Sequence, residues 1–314
     1  MNYKLRIIIA RLLNFIIKVI YFIPLGAVVK SKAIAKLSKL KLQISPKLFD
    51  DSEFLSYVQK KKLGLEKNLE NIKTLALMSS TTDYGFYSPL LKNSYNLGLS
   101  SANLYTSYHL YNNYRNQLSN LQNVIIYCSV FSPGFSLIRS SERYRLVAYK
   151  YFFDVQYEKN QFIIPEYEKH IIKKCKRLSP REFDHNYMGY DKKTLYNTNV
   201  KVQDRTRLHL RENKREPDQL KWLKNLGNLV KEDGRKLFIV FPPYRSDYKN
   251  LLPSDSILFE KILNLNLDGV EILNYYNSEI FIDSDFGDTD HLNEDGSIKL
   301  TNEIMKVFKN NKWL

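Results

Sequence analysis

Thr74-Leu75-Ala76-Leu77-Met78-Ser79-Ser80-Thr81-Thr82 is the stretch whose reading decides the fold. Five uncharged, mostly apolar residues run straight into four hydroxyl residues. Such a run has no polar face to show to water, so it predicts a short strand buried on both sides of a sheet. Four further short extended runs lie outward from it. They cover residues 94–97, stopped by Gly98, 124–130, stopped by Phe131-Ser132-Pro133-Gly134, 237–241, stopped by Pro242-Pro243, and 270–273. Helical patterns fall between and after them, at 102–118, 218–231 (starting at Pro217 or Asp218, with Gly234 beyond the end), 256–263 and 297–310. Buried strands alternating with helices predict a parallel sheet covered on both faces, an α/β fold arranged as a three-layer flavodoxin-like sandwich. Residues 135–215 break this rhythm. They are rich in Tyr, Arg and Lys, include Asp184-His185, and predict a mostly helical insertion over the carboxyl edge of the sheet.

Composition narrows the class. Hydrophobic residues at 44% and aromatics at 13% describe a chain able to bury a core, not a disordered one. The two cysteines, Cys128 and Cys175, form no disulfide framework and no Cys/His cluster, and Cys128 reads as a small core residue. His109, His170, His185 and His209 show no metal-ligand spacing, so no metal is expected. The net charge is +15, and residues 1–50 hold ten Lys/Arg against one acid, Asp50. That segment therefore carries +9 and leaves +6 to the rest. It shows no nucleic-acid-binding motif, so a nucleic-acid partner is not expected.

Residues 5–26 are strongly apolar but interrupted by Arg6, Arg11 and Lys18, with Pro24 and Gly26 ending the helix and a second helix predicted at 31–42. The three charges fall toward one side of a helix, while Ile8, Leu12, Phe15, Ile16 and Val19 fall toward another. This predicts a basic amphipathic segment, residues 1–50, lying on an anionic membrane surface, with Lys30 to Lys41 adding attraction at ~1 kcal/mol per charge. The alternatives are a single-span anchor or a helix pair packed on the protein's own core. Residues 50–72 predict a further helix leading to the first strand.

Ligands of doubly wound sheets bind beyond the carboxyl ends of the strands, and the polar clusters of this chain fall there. Ser79-Ser80 follows the first strand, Gly98 ends the second, and Ser129 to Gly134 follow the third. Asp288-Thr289-Asp290-His291-Leu292-Asn293 follows the fifth. A serine at a strand-to-helix turn, a backbone N–H at a glycine and a late Asp–His pair are the parts of serine acyl transfer.

On these residues the chain resembles the SGNH (GDSL-type) hydrolase and acyltransferase superfamily, over a domain spanning 66–314. Ser80 matches the nucleophile of the first block. Ser94-Tyr95-Asn96-Leu97-Gly98 matches the second, whose glycine N–H is an oxyanion donor, and Asp288 with His291 matches the last. The wording resembles the branch associated with bacterial surface-polysaccharide genes. The resemblance implies acyl transfer, most simply of an acetyl group, or ester hydrolysis on a carbohydrate, and the basic segment 1–50 adds the expectation of a membrane-associated protein at the cytoplasmic face of the inner membrane. Ser80, His291 and Asp288 would be catalytic, and the N–H groups of Ser80 and Gly98 would bind the oxyanion. It implies no bound cofactor beyond an acyl donor such as acetyl-CoA if the reaction is a transfer. Two departures stand out. Met78 occupies the place of a glycine, and the asparagine expected in the third block is missing, leaving Ser129, Ser132 or a backbone N–H to serve. An inactive glycan-binding or scaffold module is the corresponding alternative.

Each residue also has a plainer reading. Ser80 could cap the helix that follows, Gly98 could be a turn glycine, and His291 a surface histidine. Asp288 is preferred to Asp290 as the acid because a residue adjacent to the histidine does not easily reach its ring. Arg143, Tyr244 and Arg245 form a basic, aromatic rim suited to an acidic sugar or a phosphate-bearing donor, or else a solvated face.

Overall fold

A computed structural model describes residues 3–24, 26–44, 52–157, 163, 165–179, 185–190, 200–215 and 218–313. The expected features at Asp184 and Pro217 lie outside these residues. Five strands form one parallel sheet: β1 (Thr74–Met78), β2 (Ser94–Gly98), β3 (Asn123–Tyr127), β4 (Lys236–Phe241) and β5 (Val270–Asn274). Their order is β2-β1-β3-β4-β5. The helices in chain order are α1 (Tyr3–Phe22), α2 (Ala27–Ile44), α3 (Ser52–Asn68), α4 (Ser80–Gly85), α5 (Leu104–Tyr114), α6 (Arg145–Phe153) and α7 (Pro165–Lys176). They continue with α8 (Val202–Asn213), α9 (Leu220–Glu232), α10 (Ser246–Lys249), α11 (Asp255–Leu258), α12 (Glu260–Leu263) and α13 (Glu294–Asn310).

Side-chain alternation along the strands explains the layers. Leu75, Leu77, Val124 and Ile126 point into one core, which takes in α3, α5 and α9. Ala76, Ile125, Tyr127 and Val240 point into the other, closed by Leu300, Ile304 and Phe308 of α13. Both faces are dry over β1 to β3, which are buried at every position, whereas the edge strand β5 is largely exposed. Cys128 sits in this interior, where burial pushes its thiol up to about 12 and leaves it inert. The outer edge of β2 is covered by the segment at His185–Tyr190, for Asn96 donates its N–H to Met188 O at 3.0 Å.

Some boundaries differ from expectation. The third strand ends three residues early: Cys128 still donates its N–H to Val240 O, but the chain then turns, with Ser132 N–H returning to Ser129 O. The helix expected over 256–263 is two short ones broken at Phe259, whose ring stacks on Phe241 with centroids 3.9 Å apart. Aromatic packing there overrides helical continuity. The last helix begins earlier, at Glu294, because Asn293 caps it through Gly296 N–H.

α1 packs along α2. No helix among the described residues is long and apolar enough to cross a membrane.

Candidate active site

In this strand order the chain reverses direction across the sheet between β1 and β3, so a crevice opens beyond their carboxyl ends. β1 delivers Ser80 to that crevice as the first residue of α4. The turn is made at Met78, whose φ of 119° lies where a side chain is strained by ~1–3 kcal/mol. Met78, standing where the resemblance expects a glycine, therefore holds a backbone conformation that favours glycine. Ser79, not Ser80, caps the helix, its Oγ accepting Thr81 N–H at 3.3 Å. Ser80 is left for another partner, and that partner is His291, with Oγ and Nε2 2.9 Å apart.

His291 is presented by a closed loop. Phe286 and Leu292 form an antiparallel bridge, and Gly287 N–H donates to His291 O at 3.0 Å. Inside it Asp288 Oδ1 accepts the backbone N–H groups of Asp290 and His291, at 3.1 and 2.9 Å. The same carboxylate lies 3.0 and 2.9 Å from His291 Nδ1. An ionised carboxylate only accepts, so Nδ1 carries the hydrogen, and in the neutral ring Nε2 is left to accept the Ser80 hydroxyl. The Tyr84 ring meets the imidazole edge-on at 5.1 Å. Asp288 is thus the carboxylate on Nδ1, while Asp290, with Oδ2 4.0 Å from Nε2, is bonded to Arg205 of α8. Arg205 Nε and Nη2 donate to the two Asp290 oxygens at 2.9 Å each.

The electrostatics follow from these contacts. Burial alone would push the His291 imidazole down. The Asp290 charge and the Asp288 hydrogen bond outweigh it and hold the ring above its ordinary value of 6.5. Burial likewise opposes ionisation of Asp288 and Asp290, but His291 beside the first, and His291 with Arg205 beside the second, keep both carboxyls below the usual range. By linkage, the His291 contribution to stability is complete below the unfolded-state value near 6.5 and is lost as pH rises through the higher folded one. His209 runs the other way. Burial pushes it down to about 3, so it folds neutral, and its contribution is lost as pH falls below the unfolded-state 6.5. The ligand atoms of Asp288, Asp290 and His291 lie within 4.8 Å of one another, a spacing a cation could use. Each is already committed, Asp290 to a guanidinium and His291 to a serine and a carboxylate, so the set fits a proton relay better than a metal.

The oxyanion donors depart from expectation. Gly98 N–H donates to Asn96 Oδ1 at 2.9 Å and is not open to a substrate. Asn96 is itself fixed by the end of α4, its Nδ2 facing the carbonyls of Thr82, Asp83 and Phe86 at 3.1, 3.1 and 2.7 Å. A Cβ at Gly98 would come within 2.4 Å of Asp83 N, so the glycine is there to let α4 approach β2. Ser80 N–H, in the first turn of α4, has no acceptor among the described residues. In the third block, Ser132 Oγ accepts Ser129 N–H at 2.9 Å and shares a bond with Ser129 Oγ at 3.2 Å. Two hydroxyls and one mutual bond leave one hydroxyl hydrogen over. The Val130 N–H goes to Tyr244 Oη and its carbonyl to Asn213 Nδ2.

Of the rim residues, Tyr244 is buried against this third-block loop and packs on Tyr248 and Tyr276. Arg245 is forked onto Asp247 at 2.8 and 2.7 Å. Arg143 sits in the turn before α6. Among the described residues, no hydrogen bond ties Arg143 or Arg245 to the Ser80–His291 pair.

Two groups escaped sequence reasoning. Lys61 of α3, 3% exposed, places Nζ 2.5 Å from Asp83 Oδ1, and Tyr57 donates to Asp83 Oδ2 at 2.7 Å. This buried pair ties the helix that carries Ser80 to α3. The second group is Arg205, His209 and Asn213, four apart on one face of α8. They bond Asp290, Tyr248 and the Val130 carbonyl. The i, i+4, i+8 spacing was the available signal, hidden in a charged stretch.

No protein-family model matches the chain, and no curated protein is significantly similar to it.

Proposed function

We propose that the protein is an SGNH-type serine esterase or O-acyltransferase acting on a carbohydrate. The observation that carries this reading is Ser80 Oγ at 2.9 Å from His291 Nε2, with Asp288 behind Nδ1. Ser80 Oγ attacks the acyl carbonyl while His291 takes its proton. The leaving alcohol or thiol receives that proton, and the acyl group stays on Ser80. Water then releases it in hydrolysis, or a sugar hydroxyl in transfer, with acetyl-CoA a fitting donor for an acetyl group. Ser80 N–H and the spare Ser129/Ser132 hydroxyl hydrogen are the oxyanion donors in this scheme. Fluorophosphonate labelling of wild type against Ser80→Ala tests it, since only a reactive Ser80 gives a difference. A second reading, an inactive glycan-binding module, is favoured by the committed Gly98 N–H and the absent third-block asparagine. Absence of label at Ser80 would support that reading.

Because only neutral His291 can accept the serine proton, kcat/KM for ester cleavage is expected to rise with pH through a midpoint above 6.5. A midpoint at or below 6.5 would contradict the environment described for His291.

The proposal extends to α1. Leu5, Ile8, Leu12, Phe15, Val19 and Phe22 are exposed, Phe22 to 90%, and their spacing of three and four forms one apolar stripe. Lys18 is exposed on the same helix. Such a helix lies in the headgroup region of an anionic bilayer. Flotation with vesicles containing phosphatidylserine should carry the full chain upward and leave a chain lacking residues 1–45 behind. Equal flotation of both would remove the membrane role from this helix.

A further inference from the structure

Asp290 is a second carboxylate beside the catalytic imidazole. Its Oδ2 lies 4.0 Å from His291 Nε2, the nitrogen that Ser80 Oγ approaches at 2.9 Å. When His291 takes the serine proton, that nitrogen becomes a cationic N–H, and a carboxylate about an ångström too far away is the strongest acceptor within reach. Closure of that gap would hold the imidazolium by a carboxylate at each nitrogen. The proton would be trapped, and Ser80 would lose its partner.

Arg205 prevents the approach. Its Nε and Nη2 take the two Asp290 oxygens side-on, at 2.9 Å each, and Thr289 Oγ1 donates to Oδ1 at 2.8 Å. Asp290 is only 3% exposed, so water competes little for the guanidinium. We infer that Arg205 is a positioning residue for acyl transfer: by clamping both oxygens of Asp290 it keeps that carboxylate off His291 Nε2 and reserves the nitrogen for Ser80. The inference rests on the acyl-transfer reading above.

Among the described residues, the groups facing His291 are these. Asp288 holds Nδ1, Ser80 and Asp290 stand at Nε2, Arg205 lies behind Asp290, the Tyr84 ring meets the imidazole edge-on, and His209 on α8 is neutral. Asp290 pulls the imidazole toward its charged form and Arg205 pulls against it. Removing Arg205 leaves Asp290 unopposed as well as untethered.

The test uses the full-length protein with Arg205→Met, Asp290→Asn and the double variant, read two ways. One reading is steady-state cleavage of 4-nitrophenyl acetate. The other is the His291 titration midpoint, followed by NMR of 15N-labelled histidine. Arg205→Met is expected to lower kcat by about 100-fold with little change in KM, and to move the His291 midpoint upward by about one pH unit. The double variant removes the carboxylate that would close in, so it should recover kcat at least ~10-fold over Arg205→Met and bring the midpoint back down. An unchanged midpoint in Arg205→Met, or a double variant no better than Arg205→Met, overturns the inference. If Arg205→Met does not fold, Arg205→Lys replaces it, because a lysine keeps the charge but cannot span both oxygens. A smaller upward move is then expected, and no move overturns the inference. Should wild type cleave no ester and take no fluorophosphonate, the acyl-transfer reading fails, while the His291 midpoint still reports whether Arg205 restrains Asp290.

Discussion

Ser80→Ala is expected to lower kcat for acetyl-ester cleavage by about 10⁴-fold or more, and His291→Ala by a similar factor. The two side chains act as a unit, since among the described residues the hydroxyl at 2.9 Å from Nε2 is the one proton source the ring is arranged to accept from. Combining the substitutions should therefore cost little beyond either one. Asp288→Asn should lose nearly as much while leaving the fold intact. An amide can donate to Nδ1, which puts the ring hydrogen on Nε2 and removes the acceptor that Ser80 needs. Steady-state rates with 4-nitrophenyl acetate, checked by circular dichroism for folding, decide the matter. Equal turnover by wild type, Ser80→Ala and His291→Ala would end the assignment.

The largest expected change in stability comes from Asp83→Ala. Lys61 and Asp83 are 3% and 1% exposed, and removing the carboxylate strands an ammonium group in the interior. Breaking a buried pair in this way costs ~3–5 kcal/mol. At roughly 2–4 °C per kcal/mol, Tm should fall by about 6–20 °C in a thermal scan. Lys61→Met combined with Asp83→Leu should recover much of the loss, because replacing both charges leaves neither one orphaned. A drop of less than about one degree in Asp83→Ala would show that water reaches Lys61. Because α4 carries both Asp83 and Ser80, the single variant should also lose any ester cleavage, by displacing Ser80 from His291.

Much of the fold was legible because the strands are short and mostly apolar, and the first four runs are stopped by hydroxyl, glycine or proline residues. Legibility failed where tertiary contacts override local pattern, as where Phe259 stacks on Phe241 and splits a helix. It also failed past Cys128, where apolar Val130 continues the composition of a strand after the chain has turned away from β4. Within the site, Asp288 and His291 were readable because a three-residue spacing is local. Ser80 lies 211 positions from His291 and became readable only because strand ends converge on one edge. Gly98 was read as a donor, yet its N–H is claimed by Asn96 two residues earlier. Lys61 and Arg205 were invisible for a common reason. A basic residue in a helix looks the same in sequence whether it meets solvent or a buried carboxylate.

The residues that α8 buries, Thr206, His209 and Glu212, are all polar. The helix is therefore attached to the sheet edge by directional bonds from Arg205, His209 and Asn213 more than by apolar area. Segments held in this way open at a smaller free-energy cost than packed strands. On warming, competence should vanish before the core melts. The upper limit of the working range would then be set by one helix letting go, with both hydrophobic layers still closed.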